Sequence, residues 1–513
     1  MPSAAPVRAL LLSCSIVAAC AAPGRPDSSG TAGQTGTGGA ATAGTGGSAS
    51  GTAGTAAGTS GTTGGGGNAG SGTAGSTTGS AGTTGASGTG GGGSGGNGAG
   101  SGGAAAGTSG GGRGGTGTTT AGTGGNAGGS GGTGGGGGTT PAIVIPGAGN
   151  CVPPAGANLA DAAAAYAKWK TDLLTSDGAG GFLRPRRPNS SGAVVNSTVS
   201  EGVAYGMLLS AYANDQPTFD KLWQYSQLHL GTNKLMDWYI GPSGELLGSG
   251  GASDADEDMA FALIVADQRW GGKGSLTTNY IDLAKTQIGR IWQYEVDHTR
   301  NEVMKPGDQG FDGSVINISY FAPAYYKVFG RVTGQTTNWN NAAKTSYDVI
   351  EKTLTMANGN ASNGLVPAWS TPAGVPMSPP GAGMPTYHQL DSCRTPFRLA
   401  VDYCWNAEPR ALAYLQKISS FYSGVGAANI VDGYDLNGNP HATSVTAGGP
   451  RAAAFNGPAG VGAMATGATY ATLRNEAYAG VATLMQLAGS TYYQESWTGL
   501  SLQMMTGLFS VPP

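Results

Sequence analysis

Several acidic residues stand where the chain gives little local reason for charge. Glu201 follows Ser200 at the head of the run Gly-Val-Ala-Tyr-Gly-Met-Leu-Leu209. Asp254, Asp256, Glu257 and Asp258 open the apolar run Met259–Ala266, and Asp391 lies in Gln389-Leu-Asp-Ser-Cys-Arg394. A further polar cluster, Asn317-Ile-Ser-Tyr320, precedes another apolar stretch. Acids and hydroxyls at helix starts cap free N–H groups and complement the dipole, and for any one cluster that is the simpler account. Their recurrence points to chemistry. Two separated carboxyls are what glycoside hydrolysis requires, one acid protonating the leaving oxygen and one carboxylate acting on the opposite face of the sugar. A carboxyl beside an apolar helix body has its pKa raised by desolvation and keeps its proton, as that acid must. Sugar binding also uses flat rings; the candidates are Trp238, Trp369, Trp405, Tyr492, Tyr493 and Trp497. Singly, each such ring is more often core than platform.

Other chemistries find less support. The 26 basic and 29 acidic residues leave a net charge of −3, which argues against a nucleic-acid binder. The 4 histidines include no HExxH pair, and neither a GxxxxGK[ST] nor a GxSxG motif occurs. Asp254-x-Asp256-x-Asp258 has the spacing of a calcium loop, but Met259 stands where its glycine belongs. No metal or cofactor is expected.

The elements that must position these residues read as helices. Twelve segments are expected near 159–175, 200–214, 217–229, 255–269, 276–295, 317–332, 337–356, 391–405, 408–422, 452–466, 472–487 and 492–508. Strand-like alternation is scarce. Even-numbered segments are apolar on most sides, as buried helices are, whereas odd ones such as Ile281–Arg290 are amphipathic. The expected fold is therefore all-α, an (α/α)6 barrel whose parallel inner helices bring the four polar clusters to one mouth.

The chain ahead of this domain is different. Between residues 21 and 140 lie 53 of the 96 glycines, with no Val, Leu, Ile, Met, Phe, Tyr or Trp. With nothing apolar to bury, residues 21–141 are expected to be a disordered Gly/Ser/Thr/Ala-rich linker, and 142–513 the folded domain. Arg8 and the apolar run after it read as an export signal over residues 1–20. Its end, Val17-Ala-Ala-Cys20, is similar to a bacterial lipobox, which makes Cys20 the expected lipidation site; a plain signal peptide cut near Ala22 is the alternative. Either way the protein is expected to be exported, as a cell-surface or outer-membrane lipoprotein or in secreted form. The only membrane contact expected is that anchor, since no apolar run is long enough to span. Of the remaining cysteines, Cys393 and Cys404 would sit about 16 Å apart on one helix, too far to bridge. Core cysteines are the preferred reading, with a bridge from Cys151 to one of them as the alternative.

The stretch Ala252-Ser-Asp-Ala-Asp-Glu-Asp-Met-Ala-Phe-Ala-Leu-Ile-Val-Ala-Asp-Gln-Arg-Trp270 resembles the signature of glycoside hydrolase family 8, the inverting (α/α)6-barrel enzymes. Ser200–Leu209, Phe219–Trp223, Leu235–Trp238, Ile318–Pro323 and Asp391–Arg398 extend the resemblance, in the family's order, over nearly the whole folded part. It implies Glu201 as general acid, Asp391 as general base, and Asp254 as the residue that holds the sugar at the cleavage point. It further implies that Tyr320 orients the attacking water and that Arg394 keeps Asp391 ionised. Trp238, Tyr205, Trp369, Tyr492 and Tyr493 are the expected substrate contacts. Asp256 and Asp258 are expected to be structural.

The resemblance implies an endo-β-1,4-glucanase acting with inversion on a β-1,4-linked polysaccharide or oligosaccharide; separately, a monomer is expected. An aspartate at position 391 favours the cellulase and xylanase branch, because chitosanases of the family place the base elsewhere. Xylanase, lichenase and chitosanase activities are the alternatives, and the Pro/Gly-rich loop 376–388 beside Asp391 leaves room for them. From other classes come a catalytically inactive carbohydrate-binding surface lipoprotein and an α/α-toroid polysaccharide lyase. The intact acid trio speaks against the first, and an acidic groove would repel the anionic substrate of the second.

Overall fold

The computed structural model describes residues 149–188, 193–441, 453–484 and 492–510. The expected signal segment, Cys20 and the linker 21–141 lie outside the described residues.

Among the described residues, twelve α-helices follow in order: α1 Leu159–Leu173, α2 Ser200–Tyr212, α3 Gln216–Leu228, α4 Ser253–Trp270, α5 Tyr280–Tyr294, α6 Pro323–Thr333, α7 Thr336–Thr353, α8 Arg394–Asn406, α9 Pro409–Val425, α10 Ala453–Met464, α11 Ala471–Leu484 and α12 Tyr492–Met505. The even-numbered helices contact one another in sequence and α12 returns to α2, closing an inner ring. Each odd helix packs outside: α3, α5, α7, α9 and α11 against the inner helix just before them, and α1 against α12. This is the (α/α)6 barrel that the apolar patterning predicts.

Composition explains the layering. Every residue of α10 is buried, as is every residue of α2 except Glu201. Small residues let such helices approach closely: a Cβ on Gly206 would stand 2.6 Å from the Trp169 ring of α1. Outer helices bury one stripe, and α1, α3 and α9 begin with side-chain caps. Asn158 accepts from the N–H of Ala160 at the start of α1, and Asp215 accepts from that of Thr218 in α3.

The expected boundaries of α6 and α8 are corrected. Residues 317–322 do not join α6, because Asn317 folds its side chain onto the N–H of Ser319 in a 3-10 turn and Pro323 begins the helix. Asp391 likewise lies in a 3-10 turn, Leu390–Cys393, with α8 starting at Arg394.

Two-residue strands precede three inner helices. Thr198–Val199 pairs with Tyr239–Ile240, Ile316–Asn317 with Trp369–Ser370, and His388–Gln389 with Gly433–Tyr434, all antiparallel. Each fastens the entry of an inner helix to a neighbouring loop at the same mouth.

The preference for core cysteines is corrected. Cys151 and Cys404 form a disulfide, and Cys393 is the free, buried cysteine of the described residues. The segment before α1 lies along the end of α8, where the N–H of Asn150 donates to the carbonyl of Cys404 at 3.0 Å. That placement brings two residues 253 apart in sequence to a Cα–Cα distance of 5.0 Å.

Candidate active site

The polar starts of the inner helices do meet, and Arg394 is where they meet. Arg394 is the first residue of α8 and is fully buried. Its Nη1 donates to Oε2 of Glu201 at 2.7 Å and also to Oδ2 of Asp254. Nη2 reaches Oδ1 of Asp391 at 3.0 Å, and Nε donates to the Ser319 hydroxyl at 3.1 Å. One guanidinium thus touches a residue from each of the four clusters, those of α2, α4, the turn before α6 and the turn before α8. A buried carboxylate without a partner is costly, and the planar five-donor fork of arginine is suited to serving several at once.

The sequence expectation gives Arg394 a single partner, Asp391; the structure adds Glu201 and Asp254. Its guanidinium also lies over the ring of Tyr320, 4.9 Å from the centroid.

Glu201 and Asp391 keep contact with solvent, at 17% and 23% side-chain exposure, while Asp254 is closed off at 3%. Burial pushes the Glu201 carboxyl up to about 7, with the Arg394 charge opposing and Asp254 adding to the rise. Tyr492 donates its hydroxyl to Oε1 of Glu201 at 2.5 Å, which opposes the rise as well. Burial also raises Asp391 above its usual carboxylate range, and Arg394 counteracts this. The second oxygen of Asp391 accepts from Nδ2 of Asn317 at 2.7 Å. The arrangement can therefore hold a proton on one carboxyl while keeping a second carboxylate, under two donors, as an acceptor.

The remaining acids of α4 are occupied elsewhere. Asp258 forms a two-bond pair with Arg398 at 2.5 and 2.8 Å, Glu257 accepts from the Tyr326 hydroxyl at 2.7 Å, and Asp256 accepts from Gln287 at 2.8 Å. The first two contacts join α4 to α8 and α6 within the inner ring, the third ties it to the outer helix α5, and each gives a buried acid a partner.

The expected platforms divide sharply. Trp238, next to the Thr198–Val199 strand pair, is half-buried and stacked on Tyr239 at 5.0 Å, which leaves part of its indole open. Tyr205, Trp369, Tyr492 and Tyr493 are all buried, none more than 2% exposed, so none offers an open face to a sugar. Trp369 is covered by Phe311 and Tyr320. Tyr493 packs on Trp497, Tyr205 stands 3.4 Å from Nη1 of Arg394, and Tyr492 serves Glu201. Their large rings fill the space behind the carboxyls.

Sequence reasoning places Asn317 in a polar cluster but gives it no role; its contact with Asp391 spans 74 residues. The signal available was its position three before Tyr320 at the end of an apolar approach.

The chain matches the family model for glycosyl hydrolases family 8 over residues 154–509. It is 37% identical over 353 residues to Endoglucanase A of Acetivibrio thermocellus, covering 68% of this chain and 69% of that protein. It is 39% identical over 285 residues to Endoglucanase 2 of Ruminiclostridium josui, covering 55% and 58% respectively. Among solved structures, the apo β-1,3-1,4-glucanase from Paenibacillus sp. X4 superposes with a TM-score of 0.61 at 28% identity, over 70% of this chain and 95% of that one. With two solvent-touching carboxyls joined at one buried arginine inside an (α/α)6 barrel, the chain belongs to glycosyl hydrolase family 8 and is a glycoside hydrolase.

Proposed function

We propose that the protein is an exported endo-β-1,4-glucanase that cleaves its polysaccharide with inversion. In this reading Glu201 protonates the leaving oxygen, and Asp391 takes a proton from the water that attacks the anomeric carbon on the opposite face. Asp254 holds the sugar at the cleavage point, Tyr320 helps to place the water, and the open face of Trp238 stacks a sugar ring. Arg394 keeps Asp391 anionic and sets the acid and the base at a common centre. The observation that carries the proposal is that two solvent-touching carboxyls meet on one guanidinium: burial raises Glu201 to about 7 in spite of its donors Arg394 and Tyr492, while Arg394 and Asn317 oppose the rise of Asp391.

The names of two relatives, both endoglucanases, support the glucan assignment. The β-1,3-1,4-glucanase among the similar structures favours mixed-linkage glucan as the second reading. Export is supported by the Cys151–Cys404 disulfide, a bond that persists in oxidising compartments, together with the signal and lipobox-like residues ending at Cys20.

The test is hydrolysis of carboxymethylcellulose, lichenan, xylan and chitosan by the wild type and by Glu201→Gln, with proton NMR of the first-formed anomer. The proposal expects the highest rate on carboxymethylcellulose, an α-anomer first, and a loss of about 10²–10⁴-fold in the variant. Preference for lichenan would move the assignment to mixed-linkage glucan. Full activity of Glu201→Gln would remove the acid from its role, and an unsaturated, ultraviolet-absorbing product would mark a lyase.

A further inference from the structure

Asn317 ends the short strand Ile316–Asn317 and is buried. Its carboxamide has a single orientation compatible with its neighbours. Oδ1 accepts from the backbone N–H of Ser319 at 3.1 Å and from the Ser319 hydroxyl at 2.7 Å. A flipped amide would turn its own hydrogens toward that backbone donor. Nδ2 must therefore face Asp391, and it donates to Oδ2 at 2.7 Å.

The same contacts close a loop. The Ser319 hydroxyl that donates to Asn317 accepts from Nε of Arg394 at 3.1 Å, and Nη2 of the same arginine meets Oδ1 of Asp391 at 3.0 Å. Hydrogen bonds thus run from Arg394 through Ser319 and Asn317 to one oxygen of Asp391, and directly from Arg394 to the other. Each donor direction is fixed by the group before it. The carboxylate cannot rotate about its Cβ–Cγ bond without losing a donor to an anion, among the stronger hydrogen bonds in proteins.

We propose that Asn317 is a positioning residue for the hydrolytic reaction: its locked carboxamide holds the Asp391 carboxylate in one plane and in its anionic form, ready to accept a proton from water. The inference rests on Asp391 as the base. The charged and titratable groups that face Asp391 are Arg394 from α8, Asp254 from α4, Glu201 from α2, Tyr320 from the turn before α6, and Cys393 from its own turn. Burial and Asp254 favour the protonated acid, whereas Arg394 and Asn317 favour the anion. Removing the Asn317 donor leaves Arg394 alone against burial, so a protonated base should persist to higher pH.

The experiment compares Asn317→Ala, Asn317→Asp and Asp391→Asn with the wild type on a soluble polysaccharide, with thermal melts to verify folding. Asn317→Ala should lower kcat about ten- to a hundredfold, the scale of a lost hydrogen bond to a charged group, with KM little changed. Its acidic limb should move to higher pH while the alkaline limb stays in place. Asn317→Asp keeps the shape and the acceptor toward Ser319 but sets a second carboxyl against Asp391. The two would share a proton, and the acidic limb should move further up. If Asn317→Ala fails to fold, Asn317→Asp decides alone. A folded Asn317→Asp with the wild-type acidic limb overturns the proposal, and so does a fall in kcat with both limbs unmoved, since that marks a purely structural role. Wild-type rates from Asp391→Asn would instead overturn the base assignment itself, whatever the position 317 variants do.

Discussion

Gly202 and Tyr492 are fitted to each other across the closure of the inner ring. A Cβ on Gly202 would stand 2.9 Å from Cε2 of the Tyr492 ring, so only a glycine admits the ring at this depth. The approach brings the Tyr492 hydroxyl to 2.5 Å from Oε1 of Glu201, the residue just before Gly202. The Ser-Glu-Gly start of α2 thus combines the acid with the space its donor needs.

Tyr492→Phe should therefore act on the acid and leave the fold alone. It keeps the ring in the Gly202 space and removes only the hydroxyl, which stabilises ionised Glu201. Without it the carboxyl should hold its proton to higher pH, and the alkaline limb of kcat/KM should move upward relative to the wild type. Gly202→Ala should give a related shift with an added loss of about 1–3 kcal/mol, because the ring must be displaced. An alkaline limb that stays in place in Tyr492→Phe would detach the hydroxyl from the acid.

The wild-type pH profile follows from the two carboxyls. Hydrolysis needs Glu201 protonated and Asp391 ionised, so the rate should fall above about 7, where Glu201 loses its proton. It should fall on the acidic side as Asp391 gains one, at a pH above the ordinary aspartate range because burial raises that group. A kcat/KM profile on a soluble substrate measures both limbs in the free enzyme. A rate that keeps rising well above pH 7 would show that the acid is another group.

Much of this scaffold can be read from the order of residues, for physical reasons. The inner helices announce themselves because Gly202–Leu209 and Met259–Ala266 are apolar on most sides, and such helices must be enclosed. Glu201, Asp254 and Asp391 stand out because charge at the edge of an apolar run needs a reason. The short strands carry no such signal, since two residues such as Thr198–Val199 cannot show alternation. The reach of Arg394 is hidden too: its contacts with Asp254 and Glu201 cross 140 and 193 residues. Rings mislead most, because Trp369 and Tyr493 have the same composition whether they face a sugar or, as here, the core.

Arg394 should be required for stability as well as activity. Arg394→Met would leave Glu201, Asp254 and Asp391 around a neutral side chain. Removing one partner of a buried pair costs about 3–5 kcal/mol, and three carboxylates lose their cation here. The melting temperature should fall sharply, and more at pH 8 than at pH 5, where protonation relieves the uncompensated charge. Arg394→Lys restores one charge but not the fork, so it should recover part of the stability and little of the activity. Equal melting temperatures for Arg394→Met and the wild type at pH 8 would show that the carboxyls do not depend on this cation.

The Cys151–Cys404 bond ties the start of the domain to the end of α8, across 253 residues of sequence. The loop closed in the unfolded chain is long, and breaking a native disulfide typically costs about 2–5 kcal/mol. The bond does not stand alone. Asn150 donates to Cys404, Val152 donates to Met464 at 2.9 Å, and a Cβ on Gly149 would run into the Cys404 carbonyl. Those contacts should keep the reduced domain folded at moderate temperature, with α1 still in place against α12. Cys151→Ser and Cys404→Ser should therefore each lower the melting temperature by similar amounts, the double variant by no more than either alone. Activity at low temperature should be retained, because neither sulfur belongs to the carboxyl centre. Additive losses in the double variant would mean that the two residues stabilise the fold separately rather than through one shared bond.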